Sequence, residues 1–214
     1  MTSKVLEDFL DEKQKALLAS LTSPAKIQAF LDATPYSASD ENRCPRRVVQ
    51  DRLAHCLDGG LFAAAALHRL GYPPLIVDLL PEPKLDDDHV LAVFKYHGCY
   101  GAVAKSNFSG LRFREPVYRS LRELVMSYFE DFFNVDGLKT MRGYTHPLHL
   151  ASYDRMDWEV NDRAADAVEK RLKKLRPIPV LADGMAGELS PADALSYQAG
   201  MLGTNPSGLY KPKP

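Results

Sequence analysis

The stretch "HCLDGGLFAAAALHRLGYPPLIVDLL", His55 to Leu80, constrains the fold of this chain more than any other. A run of small residues, "GGLFAAAA", suits a helix packed tightly against a sheet, and Gly71 followed by "PPLIVDLLP" predicts a helix stop and then a buried strand. Cys56 stands at the mouth of that helix. A free cysteine is ordinarily a small buried hydrophobe. A helix N-terminus, with its exposed N–H groups and dipole, instead favours a thiolate. Gly59 and Gly60 in the first turn carry a propensity penalty, and their lack of side chain lets another segment or a substrate approach closely.

Around this unit the chain reads as helices first and a strand meander afterwards, an α+β order. "VLEDFLDEKQKALLASL" has helical periodicity, and "SPAKIQAFLDAT" comes next with Ser23 as N-cap and Pro24 at the first helical position. "PRRVVQDRLA" supplies another helical turn or two before Cys56. Downstream, "HVLAVFKYHGCYGAVAKSN" predicts two strands turning near His97 and Gly98, and Ser120 with Glu123 makes a capping-box pattern ahead of a further helix. A short extended piece lies near "GYTHPLHL" and a last helix in "DRAADAVEKRLKKL". Residues 1–183 read as one domain. Residues 184–214, richer in Gly, Pro and Ser, read as an extended and partly disordered C-terminal arm.

Composition narrows the functional classes. The 214 residues are long enough to bury a substantial core, and 45% hydrophobic with 26% charged residues is ordinary for a globular protein. Lys+Arg 27 against Asp+Glu 28 leaves a net charge of -1, so no global field attracts nucleic acid or an anionic membrane. "MTSKVLEDFLDEKQ" lacks the apolar core of a signal peptide and no stretch is long enough to cross a bilayer; a cytoplasmic protein is expected. Cys44, Cys56 and Cys99 form an odd set without CxxC spacing, which argues against a disulfide framework and a thiolate zinc site. No cofactor is implied. Asp86, Asp87 and Asp88 lack the further oxygen ligands of a cation site and read as a solvated loop.

A nucleophilic cysteine needs a base, and the base an orienting partner. His89 is the best candidate base, because it opens an apolar strand just after the acidic loop "KLDDD". His55 is adjacent to Cys56 and points elsewhere on a helical turn; His68 lies near the far end of the helix; His97 sits at the hairpin; His146 and His149 flank a proline-containing loop.

The pair "HCLDGGLFAAAALHRLGYPPLIVDLL" and "DDDHVLAVFKYHGCYGAVAKSN" resembles the core of a transglutaminase-like domain, a cysteine at a helix start, an exit through "HRLGYPP" into a strand, and a histidine opening the next strand. "LRFREPVYRSLRELVMSYFEDFF" resembles the segment downstream of that core in a bacterial and fungal subgroup of the superfamily. The resemblance covers about residues 45–150. It implies a papain-like fold, with a catalytic helix packed on an antiparallel sheet behind N-terminal helices, and a Cys/His pair at Cys56 and His89.

The third member departs from that pattern, for no Asp or Glu occurs between Asp88 and Glu115. A two- or four-residue hairpin loop sets Ser106 opposite His89; a three-residue loop sets Asn107 there and restores a Cys-His-Asn arrangement. Gln50, six residues before Cys56, resembles the oxyanion-hole glutamine of papain-like enzymes. Arg112 and Arg114, on one face of an extended segment near Tyr118, suit a fork for a substrate carboxylate. Two readings emerge. The first is an acyl-transfer enzyme acting on a small-molecule or peptide amide or ester through a Cys56 thioester, with water or an amine as acceptor. The second is a catalytically inactive binding or scaffold protein that keeps the fold. A metal-assisted hydrolase built on His89 and the aspartates ranks last.

Overall fold

The computed structural model describes residues 4–212. Five helices come first: α1 (Lys4–Asp8), α2 (Glu12–Ser20), α3 (Pro24–Asp32), α4 (Pro45–Asp51) and α5 (Cys56–Arg69). Local chemistry sets their ends. Ser23 caps α3 through the Lys26 N–H at 3.3 Å, with Pro24 in the first turn. α5 starts on an extended His55, whose Nδ1 accepts the Leu57 N–H at 3.2 Å while Asp58 accepts the His55 N–H at 3.2 Å. It ends at Gly71, where φ is +91° and the left-handed turn favours glycine.

The strands are β1 (Leu75–Pro81), β2 (His89–Tyr96), β3 (Cys99–Val103), β4 (Arg114–Tyr118), β5 (Met141–Tyr144), β6 (Leu148–His149) and β7 (Ile178–Pro179). They form an antiparallel sheet in the order β4-β3-β2-β1-β5-β7, with β6 also paired to β1. Among the described residues three α-helices follow the first strands, α6 (Leu121–Met126), α7 (Asp162–Leu172) and α8 (Ala194–Met201), with short 3-10 turns between and after them, the last at Pro206–Gly208.

The sheet is buried on both faces, so β2 is apolar along its inner length instead of alternating. One face sets Val90, Ala92 and Phe94 against Leu61, Phe62 and the alanines of α5. The other sets Leu91 and Val93 against Leu124, Val125, Tyr128 and Phe132 of α6 and the turn after it. The small residues of α5 have a steric reason. A Cβ on Gly59 would collide with Cβ of Lys105, and one on Gly60 would sit 2.7 Å from Val90 Cγ1. Each fully buried Leu or Phe here contributes about 1.5–3 kcal/mol, and the glycines set how closely the helix delivers them. This is the α+β arrangement expected, a helix beginning at Cys56 packed on an antiparallel sheet behind N-terminal helices.

The C-terminal stretch differs from an extended arm. It carries α8 and returns to the body: Tyr197 donates its hydroxyl to the Val135 carbonyl at 2.8 Å, and the Ser109 N–H donates to the Gly200 carbonyl at 3.0 Å. Residues 213–214 of the expected arm lie outside the described residues. No helix among the described residues is long and apolar enough to cross a membrane.

Candidate active site

Cys56 occupies the first turn of α5 and is 7% exposed. Its sulfur lies 3.7 Å from the Asp88 carbonyl and is also bonded by the Val90 backbone N–H. The sulfur therefore rests against the main chain on both sides of His89. Burial pushes the thiol well above its ordinary range, and the charges of Asp88, Asp87 and Asp78 push in the same direction. The helix start favours a thiolate, but burial and the facing acids outweigh it. Both hold Cys56 toward the protonated thiol.

His89 is buried, with Nε2 2.7 Å from the Leu111 carbonyl. A carbonyl only accepts, so Nε2 carries the proton and Nδ1 is the basic atom of the ring. Burial lowers the pKa to about 4, and the charge of Arg114 adds to it while the Leu111 contact opposes. The imidazole is neutral at pH 7.

The hairpin after β2 turns through His97 and Gly98, at φ +48° and +82°, the geometry of a two-residue type I′ loop. Its register pairs Ala92 with Val103; carried three residues further it sets Ser106 opposite His89. Neither Ser106 nor Asn107 is bonded to the ring. β3 ends at Val103 and the chain curls away, so the ring meets the Leu111 carbonyl instead. Ser106 Oγ accepts the Phe108 N–H at 3.0 Å, and the Asn107 amide is engaged with Asn205. His89, Ser106 and Asn107 do share a cavity of about 50 Å³. Beside them the Lys105 ammonium donates to the Leu31 and Thr34 carbonyls, and burial lowers its pKa to about 8.

Four other expected positions stand apart from the cysteine. Gln50 is exposed, its Nε2 3.4 Å from the Phe9 carbonyl. α4 stops at Asp51, and Arg52 turns the chain through a left-handed conformation at φ +51°, so a six-residue spacing does not carry Gln50 to the cleft. Arg112 and Arg114 do not form a fork. Arg112 lies 3.5 Å from Asp32, whereas Arg114 donates to the Gly110 and Ser127 carbonyls and to Asp131 and covers the Tyr128 ring at 4.0 Å. Arg114 ties the segment before β4 to α6. Tyr118 pairs with Tyr100 at the edge of the sheet.

The cleft over Cys56 has a volume of about 660 Å³ and is lined by Tyr36, His55, Asp88 and Lys173, and by the run from Ser207 to Lys211. Its base is braced by Asp58, a fully buried carboxylate that accepts the Arg43 N–H at 2.6 Å and the His55 N–H. The acidic loop is less solvated than its sequence suggests. Asp86 accepts from Thr140 at 2.6 Å, and burial pushes Asp86 and Asp88 up to about 6. Among the described residues no three His, Cys, Asp or Glu side chains are grouped to hold a metal ion. The braces and the roof, Asp58, Tyr36 and 207–211, are not apparent in the sequence. Only the Asp58 spacing from His55 is a signal, and histidine lies outside the usual N-cap set.

No family model matches the chain, and no curated protein matches it. Among solved structures it is similar to Legionella pneumophila LapG at 12% identity and a TM-score of 0.42, covering 79% of this chain and 94% of that one. The EGTA-treated form of LapG is similar at 12% identity and a TM-score of 0.40, with the same shares covered.

Proposed function

We propose that the chain is a cysteine-dependent acyl-transfer enzyme acting on an amide or ester of a small molecule or peptide. The observation that supports this most is the setting of the Cys56 sulfur, held against the main chain beside His89 at the edge of a cleft. On this reading the neutral His89 ring, with Nε2–H committed to Leu111, offers Nδ1 as the acceptor for the thiol proton. In this structure its side chain lies on the face of β2 opposite α5 and lines a different cavity from Cys56, so the ring must turn about the strand end to reach the sulfur. Sulfur then attacks the carbonyl carbon, and His89 returns the proton to the departing amine or alkoxide. The thioester is resolved by water, which gives a hydrolase, or by an amine, which gives a transferase of the kind the sequence resembles. The Cys56 backbone N–H is the proposed oxyanion donor. Cys56 is the nucleophile and His89 the acid and base.

A second reading, a catalytically silent binding protein, is favoured by one feature: the ring's partner is a neutral carbonyl, which does not stabilise imidazolium as a carboxylate does. One experiment decides. With p-nitrophenyl acetate at pH 7, the enzyme acetylates Cys56, seen by peptide mass spectrometry, with release of p-nitrophenolate. His89→Ala slows that step about 100-fold or more. Acetylation no faster than at an ordinary thiol, and equal in both proteins, selects the binding protein.

A further inference from the structure

The stretch after α8 lies across the cleft and is tied there by an unusually complete set of polar contacts. The Asn107 amide grips the main chain of Asn205 at both ends: its Nδ2 donates to the Asn205 carbonyl at 2.9 Å, and its Oδ1 accepts the Asn205 N–H at 2.7 Å. This is how a neighbouring strand would hold a peptide, and it reads no side chain. The Asn205 side chain donates to the Tyr36 carbonyl at 3.0 Å and accepts the Ser207 N–H at 3.1 Å. Gly208 then crosses the Tyr36 ring so closely that a Cβ there would sit 2.8 Å from Tyr36 Cδ1. Ser207 to Lys211 line the space in front of Cys56, and Gly208 and Tyr210 also line the cavity of His89. Behind the strap α8 is fastened to the body through Tyr197 and Gly200. Between the two lies Gly203, at φ +74° with no neighbour that a side chain would touch, a joint about which the strap can swing without moving α8.

We infer that the Cys56 cleft takes a peptide whose main chain is gripped by Asn107 at the adjoining cavity and then turns, as Pro206–Gly208 does in a short 3-10 turn, and that residues 205–211 are an intramolecular occupant that an external peptide must displace. The strap contributes one small residue where Tyr36 crosses it, so the displacing peptide carries glycine or a similarly small residue at that point. This inference rests on the Cys56 cleft being the reactive site and names the substrate class for it.

The test uses full-length protein. Iodoacetamide labelling of each cysteine is followed by peptide mass spectrometry in the wild type, in Asn205→Pro, which removes the clamped N–H, and in Gly208→Trp, which forces the strap off Tyr36. Asn205→Pro loses three hydrogen bonds, the N–H to Asn107 and the two made by the Asn205 side chain, and Gly208→Trp meets the Tyr36 ring. Labelling of Cys56 is expected to be about 10-fold faster or more in both variants, with Cys44 unchanged and thermal melting retained. A synthetic peptide of residues 203–211, "GTNPSGLYK", returns the variants to the wild-type rate, and a scrambled peptide does not. Equal or slower labelling of Cys56 in Asn205→Pro overturns the proposal and makes the strap a fixed wall. Failure of the peptide to protect overturns the clamp. Labelling needs an accessible thiol and no turnover, so loss of ester chemistry with these results intact overturns the acyl-transfer reading alone.

Discussion

Two cysteines of this chain begin helices, and they differ in what faces them. Cys44 is the N-cap of α4, fully buried, with its N–H donated to Asp162 Oδ1 at 2.9 Å. Cys56 opens α5 and lines a cleft. Burial pushes the Cys44 thiol up to about 11, and burial, with the acids of the 86–88 loop, pushes Cys56 up as well. A helix start therefore does not by itself make a reactive thiol. The contribution of the helix end is of order 1 kcal/mol, and removing a thiolate from water costs more. What separates the two is space for a substrate: Cys56 lines a cleft, and the lining of that cleft does not include Cys44.

The strongest way to break that contrast is to remove each sulfur. Cys56→Ala is expected to bring p-nitrophenyl acetate turnover to the uncatalysed rate, while Cys44→Ala stays within about two-fold of wild type. Steady-state release of p-nitrophenolate measures both. An equal loss in the two variants ends the distinction, because it attributes the effect to packing.

This contrast also shows what the sequence makes legible. Elements governed by neighbours in the chain are readable: the Ser23 and Ser120 caps, the stop at Gly71 and the turn near His97 and Gly98, whereas the choice between positions 106 and 107 opposite His89 waits on the loop length that the structure supplies. Register is set by loop length, a local quantity. Side-chain partnership at the site is not. Ser106 reaches the register position, but β3 has already ended, and the loop to Leu111 delivers a main-chain carbonyl that no residue type announces. Arg114 is drawn to Ser127 and Asp131, and the 205–211 strap to Asn107, contacts made only when distant segments pack.

The next contrast concerns the aspartates that brace the two helix starts. Asp58 is fully buried, accepts the Arg43 and His55 N–H groups and lies 3.6 Å from the Arg43 guanidinium, itself buried. Asp162 is about a third exposed and serves Cys44 and Arg47. Asp58→Ala strands buried donors and a buried charge and is expected to cost about 3–5 kcal/mol. Asp162→Ala resembles loss of a cap and is expected to cost about 1 kcal/mol. Urea midpoints at constant slope test the pair. Equal losses would show that the entry to α5 is no more deeply built than the entry to α4.

The smallest effect is a pH dependence that separates His89 from the acids beside it. His89 has a folded pKa of about 4, below its ordinary 6.5, so between these values the unfolded chain binds the proton and the native one does not. Stability from this group is present above pH 6.5 and is lost as pH falls through that window. Asp86 and Asp88 run the other way. Their folded pKa values of about 6 lie above the ordinary 3.8, so acidification from 6 towards 3.8 favours the native state and masks the histidine in wild-type data. His89→Gln keeps an N–H for the Leu111 carbonyl and does not titrate. At pH 7 it is expected to match wild type within about 1 kcal/mol. At pH 4.5 it is expected to have gained about 2–3 kcal/mol relative to wild type, since two pKa units at 1.36 kcal/mol each separate that pH from 6.5. Denaturant titrations of both proteins at the two pH values give the double difference, from which the aspartates cancel. A double difference near zero would mean that His89 titrates in the native protein as it does in the unfolded chain, and would place it in contact with solvent or with a carboxylate. The neutral resting pair proposed for Cys56 and His89 would then give way to an ion pair.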